Sequence, residues 1–248
     1  MQHDSARPVA LITGAARRIG AVIARTLHTA GYDLALHCRS SYAELESLVA
    51  ELEINRRDST VALQAELGDA DSLPDLVDAA LSRFGRLDAL VNNASLFFAT
   101  PLETANVAQW DELLAVNARA PFFLARAAAP ALREARGAIV NITDVYAERP
   151  LANHAIYDIS KAALAMATKA LAVELAPEVR VNAVAPGNVL WSTNPVKAET
   201  QDTLEQRTTL RRQGSPQDIA NAVLFLLRDA TYCSGAIVPV DGGRLLHI

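Results

Sequence analysis

Short apolar runs alternate with longer Ala- and Leu-rich stretches of helical period along nearly the whole chain. PVALIT is followed by a helical pattern over Ile19–Ala30, DLALHC by Tyr42–Asn55, STVALQAEL by Ser72–Phe84, and LDALVNNA by a helix around Trp110–Arg133. GAIVNIT, a helix from about Ile156 to Leu175, VRVNAVAP, a helix around Pro216–Leu227 and the run AIVPVDG complete the series. ALVNNA and AIVNIT are apolar almost throughout, as strands covered on both faces must be. The alternation predicts an α/β fold in which one doubly wound, seven-stranded parallel sheet carries helices on both faces.

Composition narrows this picture. The 248 residues, 51% hydrophobic and 21% charged, suffice for one large core. No Pro-, Gly- or Ser-rich linker interrupts the alternation, so residues 1–248 are read as a single domain. The stretch Asn188–Arg212, rich in Thr, Gln and charge, is read as a loop or short helices covering a substrate. A formal net charge of -5 argues against a broadly basic nucleic-acid surface. Cys38 and Cys233 lie far apart without His or Cys neighbours at metal-binding spacing, which speaks against a disulfide framework or a metal site and fits a reducing compartment. The apolar run Val9–Thr13 is too short for a signal-peptide core, and no stretch approaches the roughly 20 apolar residues that cross a bilayer. The expectation is a soluble, cytoplasmic protein without membrane or nucleic-acid partners.

The first strand runs into TGAARRIG, with Gly14 and Gly20 at the mouth of a helix. Glycine lets a backbone approach a pyrophosphate closely, and the amides and dipole of a helix N-terminus attract its charge. A plain strand-to-helix turn would need the same glycines. The second strand ends in LHCRSS, where an NAD site usually places an acidic residue to hold the ribose 2′-hydroxyl. Arg39 and Ser40 stand there instead, and with Arg17 they suit the 2′-phosphate of NADPH; the bland reading of Arg39 is a solvated loop arginine. Glu66 ends the third strand, either at the adenine edge or as plain surface charge. At the end of strand four, NNAS puts Asn93, Ala94 and Ser95 where a cofactor ribose would pass, whereas Asn92 alone suits an ordinary strand end.

Tyr157 and Lys161 are four apart in YDISK, a spacing that places both on one helix face. Tyrosine titrates near 10, roughly three units too high to ionise at neutrality, and an adjacent ammonium favours the phenolate. Taken in order, TGAARRIG, NNAS, Asn117 in LLAVNARAP, YDISK and VRVNAVAPG resemble the motif set of the short-chain dehydrogenases/reductases across essentially the whole chain. The resemblance implies a Rossmann fold, Tyr157 as proton donor, Lys161 as the group that lowers its pKa and holds the ribose, Asn117 as support for a proton-relay water, and Pro186 and Gly187 beside the nicotinamide. It extends the cofactor set to Ile19, His37, Leu67 and Asn188, and it implies a homotetramer.

Departures from the family pattern carry further information. Its usual Ser, 13 residues before the Tyr, is Asp144 here. An ionised carboxylate cannot donate a hydrogen bond and repels a developing alkoxide, so ketone reduction suffers, whereas a C=N substrate needs its nitrogen protonated. Thr143, one residue off, is the other hydroxyl available, but strand alternation turns it to the opposite face. Asp144, Arg18 in a glycine position, HCRS and NNASLFFATPL together resemble the pteridine reductases, and TDVYAER with HAIY is similar to the bacterial dihydromonapterin reductases. By that resemblance Phe97 stacks on a pterin, Ser95 contacts pterin and cofactor, and Arg18 reaches pyrophosphate and substrate; core filling is the other reading of Phe97 and Phe98. Arg17 and Arg18 can exchange roles. Trp191 replaces the Thr that many relatives carry after Pro-Gly and can wall the substrate pocket. The implied activity is NADPH-dependent pteridine reduction, with folate or dihydrofolate as further substrates. A reductase of another carbonyl or imine, such as a 3-oxoacyl thioester, and a non-catalytic NADPH-binding protein are the alternatives.

Overall fold

A computed structural model describes residues 7–189 and 205–246, so Trp191 and much of the expected substrate loop lie outside the described residues. Seven parallel strands form one sheet in the order β3-β2-β1-β4-β5-β6-β7. They are β1 (Val9–Ile12), β2 (Asp33–Cys38), β3 (Thr60–Gln64), β4 (Ala89–Asn92), β5 (Ala138–Ile142), β6 (Arg180–Pro186) and β7 (Ile237–Val240). Side-chain alternation divides the core. Ala10 and Ile12 of β1, Ala89 and Val91 of β4 and Val140 of β5 face a cluster shared with α1 (Arg18–Thr29), α2 (Tyr42–Asn55) and α7 (Pro216–Arg228). Val9, Leu11, Leu90 and Ile139 face a second cluster shared with α3 (Leu73–Phe84), α5 (Ala120–Ala135) and α6 (Ala155–Glu174). The expected doubly wound architecture is therefore present, and the order in which strands are added reverses between β1 and β4, where such sheets open a ligand crevice at their carboxyl ends.

One predicted element is corrected. The helix expected around Trp110–Arg133 is α4 (Val107–Leu114), started by an Asn106–Gln109 capping box, and α5, joined through a π turn over Ala115–Arg119. The turn carries Asn117, which is completely buried. A π turn shifts the helical register locally, and such insertions recur at functional sites. Hydrophobic spacing tracks helix faces and is nearly blind to one widened turn.

A buried polar chain fastens the sheet to α6. Asn92 and Asn141 are partners in the β4–β5 register. Asn92 Nδ2 donates to Asn141 Oδ1 at 2.8 Å, Asn141 Nδ2 donates to Thr168 Oγ1 at 2.9 Å, and the Thr168 hydroxyl donates to the Leu164 carbonyl. Asn92 is thus structural. Replacing Asn141 by Ala orphans its partners in a dry environment, so urea unfolding is expected to show a loss of about 1–3 kcal/mol; an unchanged midpoint would contradict this role.

Candidate active site

The residues at the carboxyl ends of the first four strands gather around one cleft of about 430 Å³. Gly14, Arg17, Arg18, Ile19 and Gly20 form its floor, His37, Arg39 and Ser40 one end, Glu66 and Leu67 a wall, and Asn93, Ala94 and Ser95 the opposite wall. Gly14 has φ +65°, and a Cβ at Gly20 would lie 2.1 Å from the Gly14 carbonyl oxygen. Only glycine permits that approach. Arg18, where the family pattern has its middle glycine, keeps the left-handed conformation at φ 54°. Holding a non-glycine residue there costs on the order of 1 kcal/mol, the kind of local strain that clusters at functional sites.

Three neutral side chains hold the glycine turn. The Thr13 hydroxyl accepts the Asn93 and Ala94 amides at 3.0 and 3.1 Å. Asn93 Nδ2 donates to the Thr13 and Gly14 carbonyls, both at 2.9 Å. His37, almost completely buried, accepts the Gly14 amide at Nδ1 (3.3 Å) and donates from Nε2 to the Ala65 carbonyl (3.1 Å). Those partners require the neutral ring protonated on Nε2, and burial pushes its pKa down. His37 and Asn93, expected as cofactor contacts, therefore also build the cradle. Thr13 was missed in the sequence, where its only signal was a hydroxyl between an apolar strand and Gly14.

The cations at the cleft are loosely matched. Arg17 lies 3.5 Å from Glu44 and Arg39 3.8 Å from Glu66, with all four side chains about half exposed. Such pairs contribute little and exchange readily for a doubly charged anion.

The second half of the site is built on α6 and the end of β5. The Tyr157 hydroxyl donates to Asp144 Oδ2 at 2.7 Å, while Asp144 Oδ1 accepts the Tyr146 amide at 3.0 Å. Thr143 turns away and bonds the Val184 carbonyl, as strand alternation requires. Burial raises the Asp144 carboxyl above its usual range, and burial with the Asp144 charge raises the Tyr157 phenol well above 10. In the chain alone, burial and Asp144 are the main influences on the Tyr157 phenol, and the expected pull of Lys161 is not among them. Lys161 Nζ instead donates to the Ile142 carbonyl at 2.9 Å and lies 5.8 Å from the Tyr157 ring centre. Tyr157 is held as a protonated donor. Lys161 is completely buried, and desolvation takes its ammonium from 10.5 down to about 8.

Asn117 spends its whole amide. Nδ2 donates to the Leu96 carbonyl (3.0 Å) and the Ser160 hydroxyl (2.9 Å), and Oδ1 accepts the Leu96 amide (2.8 Å) and the Ser95 hydroxyl (3.2 Å). Its side chain thereby ties the cofactor wall to α6. Phe97 is half exposed, stacks on His154 at 4.8 Å between ring centres and meets Tyr157 edge-on at 4.7 Å. Phe98 packs into the small apolar cluster around Leu113, Ile156 and Tyr157. Pro186, Gly187 and Asn188 end β6 outside the main cleft; a Cβ at Gly187 would strike Asp241 at 2.7 Å, and Asn188 lines a neighbouring cavity of about 440 Å³.

A glycine-turn cleft at the switch point of a doubly wound parallel sheet, with a Tyr-x-x-x-Lys pair on the adjoining helix, defines a nucleotide-dependent oxidoreductase. The chain belongs to the short-chain dehydrogenase/reductase family: the family model described as enoyl-(acyl carrier protein) reductase matches residues 14–244. It is 35% identical to pteridine reductase 1 of Leishmania tarentolae over 99% of both chains. It is 36% identical to a 3-oxoacyl-[acyl-carrier-protein] reductase of Staphylococcus aureus, covering 96% of this chain and 98% of the relative. A putative ketoacyl reductase of granaticin polyketide synthase from Streptomyces violaceoruber is also 36% identical, over 96% of each chain. Among solved structures, a blue fluorescent protein from a metagenomic library, in complex with NADPH, superposes with a TM-score of 0.89 at 35% identity, over 96% of this chain and 97% of that one. No helix among the described residues is long and apolar enough to cross a membrane.

The buried ammonium makes a measurable demand on stability. Because the folded chain releases the Lys161 proton near 8 and the unfolded chain near 10.5, the folded state is penalised fully below pH 8 and progressively less up to 10.5. The penalty is on the order of 3 kcal/mol at neutral pH. Lys161→Met is expected to raise the urea midpoint at pH 7 while abolishing turnover, with the stability difference shrinking as pH rises towards 10.5. A destabilised variant at pH 7 would show that the bond to Ile142 outweighs desolvation.

Proposed function

We propose that the chain is an NADPH-dependent pteridine reductase, which reduces dihydrobiopterin, dihydromonapterin or related pterins, and folate or dihydrofolate, to tetrahydro forms. The 2.7 Å bond between the Tyr157 hydroxyl and Asp144 carries this reading. Reduction of a ketone leaves an alkoxide, which a neighbouring carboxylate repels; reduction of a ring C=N leaves a nitrogen that must take a proton. Tyr157 holds that proton, and Asp144 relays its replacement or accepts N–H and amino groups of the heterocycle. The half-exposed ring of Phe97, edge-on to Tyr157, offers a flat contact for a pterin, and such stacking adds about 1 kcal/mol beyond buried area; Ser95 and Arg18 line the cleft.

A dinucleotide fits the first cleft: the glycine turn suits a pyrophosphate, and Arg17, Arg39 and Ser40 among its lining, with no acidic residue ending β2, suit a 2′-phosphate. NADPH supplies the hydride when bound. In this reading Arg17, from an extended backbone, serves the 2′-phosphate, and Arg18, at the left-handed position, faces pyrophosphate and substrate. Lys161 holds the ribose, Asn117 orients Ser95 and Leu96, and Pro186, Gly187 and Asn188 border the nicotinamide. Exposed Trp110, Phe122, Met166 and Val173 on α4, α5 and α6 suit burial in a homotetramer, and the cysteine content suits the cytoplasm.

Reduction of a 3-oxoacyl thioester is the second reading, favoured by the two relatives named for ketoacyl reduction. The two are separated by following NADPH oxidation with dihydrobiopterin, dihydromonapterin, dihydrofolate and an acetoacetyl thioester in wild type and Asp144→Ser. Turnover of the pterins, reduced about 100-fold or more in the variant, is expected. Thioester reduction alone, faster in the variant, would remove the pteridine assignment. Turnover is also expected to fall as pH rises through about 8, where the Lys161 ammonium is lost.

A further inference from the structure

The segment joining Asp144 to α6 and the turn following β7 enclose a separate cavity of about 340 Å³. Arg149, Arg207 and Arg244 line it beside Tyr146, Leu151 and Leu245, and among the described residues no Asp or Glu lines it. Other arginines find carboxylates, as Arg25 does in Glu51 and Arg86 in Asp88. Among the described residues no ion pair includes Arg149, Arg207 or Arg244. Arg244 is the most committed of the three. Its guanidinium lies 5.8 Å from the Tyr146 ring centre, Nη2 donates to the Tyr146 hydroxyl at 3.3 Å, and Nη1 is buried without a hydrogen-bond partner. Arg149 is spent on structure: Nη1 donates to the Arg244 and Leu245 carbonyls at 3.3 and 3.2 Å and fastens the turn that presents Arg244. Arg207 stands exposed at the rim.

A concave site with three cations, no carboxylate among its described lining residues and a buried unsatisfied guanidinium N–H is matched by a negatively charged, planar acceptor. We propose that this pocket binds a carboxylate on the tail of the substrate, with Arg244 and Arg207 as its ligands and Arg149 as the residue that positions Arg244. The inference rests on the pteridine reading for the ring to which the tail is attached: a pteroylglutamate brings carboxylates, whereas a pterin with a hydroxyalkyl side chain brings none. The pocket adjoins the chemistry directly, since Tyr146, which carries the Arg244 bond, gives its amide to Asp144.

Calorimetric titration of the whole protein with p-aminobenzoylglutamate, the tail without its ring, and separately with inorganic phosphate tests the proposal without turnover. Wild type is expected to bind the tail fragment more tightly than phosphate, and Arg207→Ala and Arg244→Gln each to weaken it about tenfold. Where pterins are turned over, the ratio of kcat/KM for dihydrofolate to that for dihydrobiopterin is expected to fall by a similar factor through KM in both variants. Arg207 is exposed, so its variant carries the test even where Arg244→Gln fails to fold. Tail binding that is absent from wild type or indifferent to Arg207→Ala overturns the proposal, and phosphate binding as tight as the tail fragment overturns the carboxylate assignment. Fragment binding that depends on Arg207, together with inertness towards every pterin, leaves the pocket standing and removes the pteridine reading.

Discussion

The part-buried hydrogen bond from the Tyr157 hydroxyl to Asp144 couples the phenol to a carboxylate that also feels the Lys161 ammonium. A partly buried carboxylate is stabilised by donors and by a cation nearby. Tyr157 and the Tyr146 amide supply the donors, and Lys161, fixed on the Ile142 carbonyl, supplies the cation. The coupling runs both ways: Lys161 pulls the Asp144 pKa down against burial, and Asp144 holds the Lys161 pKa up against the same burial. A hydroxyl in place of Asp144 would leave the ammonium without that counter-charge. The carboxylate therefore changes the site's electrostatics as well as its hydrogen-bonding sense.

The nucleotide end follows a different rule. Its shape is fixed by neutral groups, the Thr13 hydroxyl, the Asn93 amide and the singly protonated His37 ring, which fasten the glycine turn without adding charge beneath a pyrophosphate. The charges sit at the rim in long, half-exposed pairs with Glu44 and Glu66. Exposed pairs of this kind contribute at most about 1 kcal/mol and are screened by salt, so they hold the arginines near their posts without competing strongly with a phosphate. Geometry is rigid where backbone must approach the ligand and loose where long side chains can reorganise around it.

The sheet, its strand set and the pairing of Tyr157 with Lys161 were legible because each rests on short-range periodicity: apolar strands buried on two faces, and two residues one helical turn apart. The gathering of the glycine-turn residues into one cleft was legible because a strand–glycine–helix sequence places them at a known end of a parallel sheet. Contacts between distant segments were not. Nothing local connects Asn141 to Thr168 or Arg149 to the carbonyls of Arg244 and Leu245, and the π turn at Asn117 leaves the hydrophobic spacing almost unchanged. The surroundings of Tyr157 were only partly legible for a related reason. Spacing along α6 brought Lys161 near the ring, but the strongest influences on the phenol are burial and a carboxylate from another element.

Asn117 shows why the two ends function as one site. A regular helix running through residues 107–135 would set its side chains at a constant angular step, whereas the π turn resets that step at Ala115–Arg119 and delivers one fully buried amide between two segments. Its four hydrogen bonds use every donor and acceptor an asparagine owns, two on the Leu96 backbone, one on Ser95 and one on Ser160. Ser160 in turn donates to the Tyr157 carbonyl, so movement of the Ser95–Leu96 wall is transmitted to the backbone that carries Tyr157. Aspartate at this position would lack the two N–H donors and leave the Leu96 carbonyl facing a buried negative charge, which makes the amide, rather than polarity in general, the requirement at this junction.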